Sequence, residues 1–430
     1  MKNILFSLIA FSLAGIAAAQ TQAPAIEWQK CLGGSGNDYA SSIQQTSDGG
    51  YIVAGSTYSN DGNVSGNHGN SDGWVVKLNP SGEIDWQKCL GGSSYDSVSS
   101  ILQTSDGGYI VAGYTLSNDG DVSGNHGNGG DGWVVKLDAS GNLLWKKCLG
   151  GSDLDGFYEI QQTSDGGYIV AGSTKSNDGN VSGNHGNSDG WVVRLDASGN
   201  LLWQKCLGGS GEDSVSSIQQ TSDGGYIVAG HTESNDGDVS GNHGGGDGWV
   251  VKLDASGNLL WQKCLGGSYE DYASICQTSD GGYIVAGSTY SNDGDVSGNH
   301  GGKDGWVVKL NPSGEIDWQK CLGGSSRDDA SSIQQTSDGG YIVAGYTHSN
   351  DGDVLGNHRN TDGWIVKLDA SGNLLWQKCL GGSSEDSASS IQQTSDGGYI
   401  VAGSTKSNDG DVSGNHGDYY YDAWVVKISF

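Results

Sequence analysis

The residues whose spacing could do chemistry are carboxylates in a polar segment that recurs along the chain. In Asp119-Gly120-Asp121-Val122-Ser123-Gly124, oxygen-bearing side chains stand at the first, third and fifth places and glycine at the sixth. That is the first half of a loop that wraps a calcium ion in oxygen ligands, with glycine making the sharp turn. The same places hold Asp61, Asn63 and Ser65 in the first copy and Asp178, Asn180 and Ser182 in the third. They hold Asp236, Asp238 and Ser240 in the fourth, Asp293, Asp295 and Ser297 in the fifth, and Asp409, Asp411 and Ser413 in the seventh. The sixth copy has Asp351 and Asp353 but Leu355 where serine is expected, which makes its site the weakest. An acid falls at the twelfth place as Asp72, Asp189, Asp247 and Asp304. The bidentate glutamate that completes a helix-flanked calcium loop is missing, and no helical pattern flanks these segments. Two readings stay open: calcium as a bound cofactor, or Asx-turns that satisfy the backbone of a long loop. For an extracellular module the calcium affinity expected is weak, ~10⁻⁴–10⁻³ M.

Each copy also carries Asn-His: His68, His126, His185, His243, His300, His358 and His416. One histidine per copy does not make a zinc site, which wants four convergent ligands, so these read as hydrogen-bonding loop residues. An enzyme needs an asymmetric set of nucleophile, base and orienter. The variable positions, among them His231, Glu233, Tyr346, His348 and Lys406, show no catalytic spacing. No catalytic residue is assigned.

The elements that must position these loops are copies of one unit. Trp28 recurs as Trp86, Trp145, Trp203, Trp261, Trp318 and Trp376, at spacings of 58, 59, 58, 58, 57 and 58. A second series runs Trp74, Trp133, Trp191, Trp249, Trp306, Trp364 and Trp424, so seven copies account for all 14 tryptophans. Within a copy, Ser41–Thr46 is β-compatible and Asp48-Gly49 is a tight-turn signal. Tyr51–Gly55 is a continuous apolar run, as in a strand covered on both faces. Trp74–Leu78 and Ile84–Leu90 complete four strands, joined by Pro80-Ser81-Gly82. Four antiparallel strands repeated seven times predict an all-β, seven-bladed β-propeller. The segment Ile26–Leu32 is an outer strand without its own blade, and the chain ends on Trp424–Ile428 with no fourth strand after it. The N-terminal strand is therefore expected to pair with the last blade and close the ring, which protects its edges. The long polar segment and the Gly33-Gly34-Ser35-x-x-Asp38 connection then share one elaborate face, and the tight turns share a plain one.

Leu32-Gly33-Gly34-Ser35 with Asp38, followed by Asp48–Gly55, resembles the bacterial β-propeller repeat family of exported proteins. The resemblance covers nearly the whole mature chain, although Ser59–Ser71 is longer than that family's usual connection. It implies a propeller outside the cytoplasm and no particular activity. Residues 1–19 fit an export leader: Lys2, an apolar run from Ile4 to Ile16, then Ala17-Ala18-Ala19. That run is shorter than the ~20 residues a membrane span needs. The propeller is expected over residues 20–430. The formal charge is −29, or −30 without Lys2, which disfavours nucleic acid and anionic membranes. Seven of the eight cysteines occupy one repeat position, a full unit apart, too far for disulfides. The function expected is an exported (secreted, periplasmic or cell-surface), monomeric, multivalent binding scaffold for carbohydrate or extracellular protein. The alternatives are a passive matrix protein, or a propeller hydrolase or lyase with its site on the long-loop face.

Overall fold

A computed structural model describes residues 23–127, 129–417 and 419–429; the expected leader lies outside the described residues. The fold is all-β: seven sheets, each of four antiparallel strands. The first blade is built from β2 (Asp38–Gln45), β3 (Tyr51–Thr57), β4 (Asp72–Leu78) and β5 (Ile84–Leu90), in that order from the axis outward. β1 (Ala25–Leu32) lies alongside Asp422–Ser429 as the fourth strand of the seventh blade, so the ring closes as the sequence predicts.

Both central strands are buried on two faces, which explains their unbroken apolar runs. Tyr51, Val53, Trp74 and Val76 pack against Ile400, Ala402 and Val425 of the seventh blade. Ile52, Ala54 and Val75 face the other way, onto Ile101, Tyr109 and Trp133 of the second. The core is thus seven seams between blades rather than one centre. Trp74 is 2% exposed and its indole N–H donates to Gln87 at 2.8 Å. Blades three to seven repeat that bond, Trp249 to Gln262 for example. The second blade has Lys146 in place of the glutamine, and among the described residues the buried Trp133 Nε1 has no acceptor. On the plain face Lys77, 4% exposed, donates to Asp48 and to the Leu78 carbonyl, tying the first turn down.

Two departures from the 58-residue period have local causes. In six blades the innermost strand carries a β-bulge, as between Ala40 and Ser42. The fifth blade lacks that residue, and its inner strand shrinks to Ser274–Gln277 with no register shift. The spacing of 59 reflects one extra residue between His126 and Asp131.

The inner strands' free edges are finished by neighbours. Gln103 Oε1 accepts the Ser47 amide of the preceding blade at 2.8 Å, and Gln45 accepts that of Ser395 in the seventh. The same bond recurs at all seven seams. In the opposite sense, Gln44 Oε1 accepts the Gln103 amide of the next blade at 2.6 Å.

Candidate functional site

The long loop is fastened by hydrogen bonds from end to end. Asp61 Oδ1 accepts the Ser35 amide at 2.7 Å, and the first-place aspartates Asp119, Asp178, Asp236, Asp293, Asp351 and Asp409 each do the same to the matching serine. Asn63 and Asn180 accept the amides of Gly33 and Gly150 at 3.3 Å, and Asp353 that of Gly323 at 3.5 Å. Backbone amides at the third place, including those of Asp121, Asp238, Asp295 and Asp411, donate to the glycine carbonyls of the same connection. Ser65 Oγ accepts from Gln87, the residue that also receives the Trp74 indole; Ser182, Ser240, Ser297 and Ser413 are held in the same way. The second blade departs here too: Lys146 reaches the Gly120 carbonyl instead, and Ser123 faces Cys148. The three places thus turn to different partners, and among the described residues no three His, Cys, Asp or Glu side chains form a group able to hold a metal ion.

The twelfth-place acid has a different role from that of its neighbours. Asp72 is fully buried, and its Oδ2 accepts from the His68 amide and lies 2.6 Å from Nδ1 of the ring. Asp189, Asp247 and Asp304 repeat the pair, as do Asp131, Asp362 and Asp422. Insertions in the second and seventh loops put Asp131 five and Asp422 six residues from their histidines, which hid them from a search at fixed spacing. The other oxygen, Oδ1, is buried in all seven and has no partner among the described residues. A Cβ on Gly91 would lie 2.7 Å from Asp72 Oδ1 and 2.6 Å from Asp96 Oδ2, so this junction tolerates only glycine. Burial pushes the Asp72 carboxyl up, His68 pulls it back, and Asp96 opposes its ionisation.

Asp38 and its counterparts form buried hubs. Asp213 accepts from Thr232 Oγ1, from Ser234 Oγ at 2.7 Å and from the Gly209 amide at 2.8 Å. The repeated cysteines are free, and burial pushes thiols such as Cys264 up to about 12.

Asymmetry gathers at one place on the elaborate face. A cavity of about 510 Å³ over the sixth, seventh and first blades is lined by Tyr39, Tyr346, Tyr421, Arg327, His348 and Glu385. Tyr39 and Tyr421 pack with ring centroids 5.3 Å apart. The Tyr421 hydroxyl donates to Glu385 at 2.6 Å, and Lys406 lies 4.2 Å above the Tyr421 ring while pairing with Glu385 at 2.8 Å. Hydrogen bonding from Lys406, then Tyr421, holds the Glu385 carboxyl below its usual range. Arg327 donates to Tyr290 at 3.0 Å. Sequence variation marked Tyr346, His348 and Lys406. It did not mark Tyr39, although the position after each hub aspartate varies as widely. His231 and Glu233 lie elsewhere: His231 stacks on Tyr272 at 4.7 Å, and Glu233 donates its amide to Glu212.

The class this architecture defines is the seven-bladed β-propeller. No protein-family profile matches the chain. The WD40 domain of Neurospora crassa Pan2 superposes with a TM-score of 0.50 at 12% identity, over 93% of this chain and 95% of that one, a likeness of fold alone. BamB from Moraxella catarrhalis gives 0.45 at 13% identity over 95% and 100% of the two chains. The extracellular domain of a hybrid two-component system of B. thetaiotaomicron gives 0.49 at 12%, over 94% and 43%. In sequence, the regulatory protein FlaEY of Caulobacter vibrioides is 27% identical over 229 residues, 49% of this chain and 23% of that protein. No helix among the described residues is long and apolar enough to cross a membrane.

Proposed function

We propose that the protein is an exported, non-catalytic binding scaffold that takes carbohydrate on its elaborate face, in the cavity between Tyr346 and Tyr421. The observation that carries this is the cavity's make-up. Three tyrosine rings supply flat apolar surface, and Arg327, His348 and Glu385 supply fixed polar groups, the combination that orients a polar ligand on a concave site. Seven equivalent loops around one ring add weak contacts to a repetitive surface, where linked sites gain avidity. Export is supported by the leader-like residues 1–19 and by the resemblance to exported propellers.

A glycan array of the mature chain tests the reading, with Tyr346→Ala and Arg327→Ala beside Leu202→Ala as a distant control. Binding lost in the first two and kept in the control supports it. No glycan bound, or equal binding by all variants, overturns it. Calcium enters as a stabiliser of the loops, supported by the Asp-x-Asp-x-Ser-Gly spacing; an ion there must share oxygens that already accept protein donors. Melting curves in millimolar calcium and in chelator, at matched ionic strength, decide it: a rise supports calcium and identical curves remove it.

A further inference from the structure

The channel on the propeller axis is nearly sevenfold, with a few exceptions in its walls. The residue opposite the alanine of each second strand's apolar run is serine in six blades, Ser42, Ser100 and Ser217 among them, and Glu159 in the third. Two cavities of about 480 and 380 Å³ fill the channel, one toward each face, and share Ser42, Ser100, Glu159 and Gln161 in their walls. Glu159 therefore stands at the waist, where both meet. The walls are otherwise hydroxyls, carboxamides, a few aliphatic side chains, the Tyr158 phenol and the Cys276 thiol. Glu159 is the one Asp, Glu, Lys, Arg or His among the described residues lining either cavity.

The carboxylate is held but not neutralised. Oε2 accepts the Ile218 amide at 2.6 Å, taking over the edge-capping role that Ser42 Oγ plays toward Ile101. The Ser217 hydroxyl, which donates to the Ile275 carbonyl, and the Gln161 side chain also favour its ionised form. All three groups are uncharged, so among the described residues lining the channel the ionised carboxylate meets no countercharge. A divalent ion wants several carboxylates, and these walls offer one. They offer hydroxyl and amide groups that can donate and accept around a molecule of a few heavy atoms.

We propose that the channel waist binds a small hydroxylated organic ammonium ion, with Glu159 as its counter-ion and the serine ring as its hydrogen-bonding collar. The other titratable groups facing Glu159 in the channel are Tyr158 and Cys276. Burial pushes the Glu159 carboxyl up to about 7, so the site is charged above neutrality and discharges below it.

Ethanolamine is the probe, titrated at pH 8 against the mature chain by carboxyl-carbon NMR of labelled glutamate, with ethylene glycol as the neutral mimic. The variants are Glu159→Gln and Glu159→Ser, the second restoring the residue found in the other six blades, so folding is preserved. The expected result is a saturable shift of the Glu159 signal by ethanolamine and none by ethylene glycol, with affinity falling at least about tenfold in both variants by calorimetry. No binding up to about 100 mM, equal affinity in Glu159→Ser, or the same saturation with potassium chloride overturns the proposal.

Discussion

Removing the Asp213 carboxylate should unlatch one loop of the ring while leaving its sheet intact. Asp213 is 1% exposed and collects three donors: Thr232 Oγ1, Ser234 Oγ and the Gly209 amide. Both hydroxyls already accept elsewhere, Thr232 from the Ser234 amide at 3.1 Å and Ser234 from the Gly211 amide at 2.8 Å. Among the described residues, Asp213 is the acceptor for both hydroxyl protons. A hydrogen bond to a charged acceptor contributes roughly 1.5–3 kcal/mol, so three give about 4.5–9 kcal/mol as a ceiling. Water entering beside the Gly208-Gly209 connection offsets part of that, leaving a loss of about 3–5 kcal/mol for Asp213→Ala. Asp213→Asn keeps one acceptor oxygen but turns an amide donor toward other donors, and should lose about half as much. Urea unfolding gives the total, and native-state hydrogen exchange at Gly209 and Gly211 shows whether the opening is local. If Asp213→Ala lies within about 1 kcal/mol of the parent with Gly209 exchange unchanged, the hub reading is wrong.

Lys146→Gln should give the buried Trp133 indole the acceptor that its counterparts have, raising stability by about 1 kcal/mol in urea; no gain would mean the indole is already satisfied by water. The pH profile follows from two opposed sets of carboxyls. Burial raises Asp72 and its six counterparts, so protonating them favours the fold and stability grows as pH falls through their folded pKa values. Asp106 and Asp223 are held at about 2, first by the hydroxyls of Thr104 and Thr221 and then by glycine amides and the buried lysines. Their contribution is present above the ordinary carboxyl range and lost as pH drops from about 4 toward 2. Thermal melting should therefore peak between about pH 4 and neutrality, and a melting temperature that climbs steadily from pH 5 to 8 would contradict the assignment. Deleting residues 25–32 removes the partner of Asp422–Ser429 and the acceptor of the Trp424 indole; aggregation on size exclusion is expected, and a monomer that melts like the parent would show the strap dispensable.

The Trp and Gly-Gly-Tyr-Ile-Val-Ala-Gly series made the strands, the blade number and the closing strand legible, because a repeat forces each copy to bury the same face. The thiols were legible for the same reason. The loop chemistry was not, since its partners come from another connection: Asp61 closes on Ser35, 26 residues back, and Ser65 on Gln87, 22 ahead. Spacing within one loop therefore looks the same whether the oxygens meet an ion or their neighbours' amides. The Asp213 hub was hidden because its side-chain donors are an ordinary Thr at the end of the next strand and a Ser just beyond it. Glu159 is one substitution in a polar stretch, and only the axis gives it meaning.

The glutamine-to-serine contacts between inner strands all run in one rotational sense, each blade completing the one before it. Stability at the axis is accordingly communal property: no blade owns the cap on its own inner edge. A gene built from near-identical repeats is prone to gain or lose copies by unequal recombination, and this arrangement filters the outcomes. A whole copy inserted or removed keeps every glutamine facing a serine amide, provided the circle still closes. A fractional copy leaves one edge uncapped somewhere on the circle. The protein's length can thus drift only in steps of one blade.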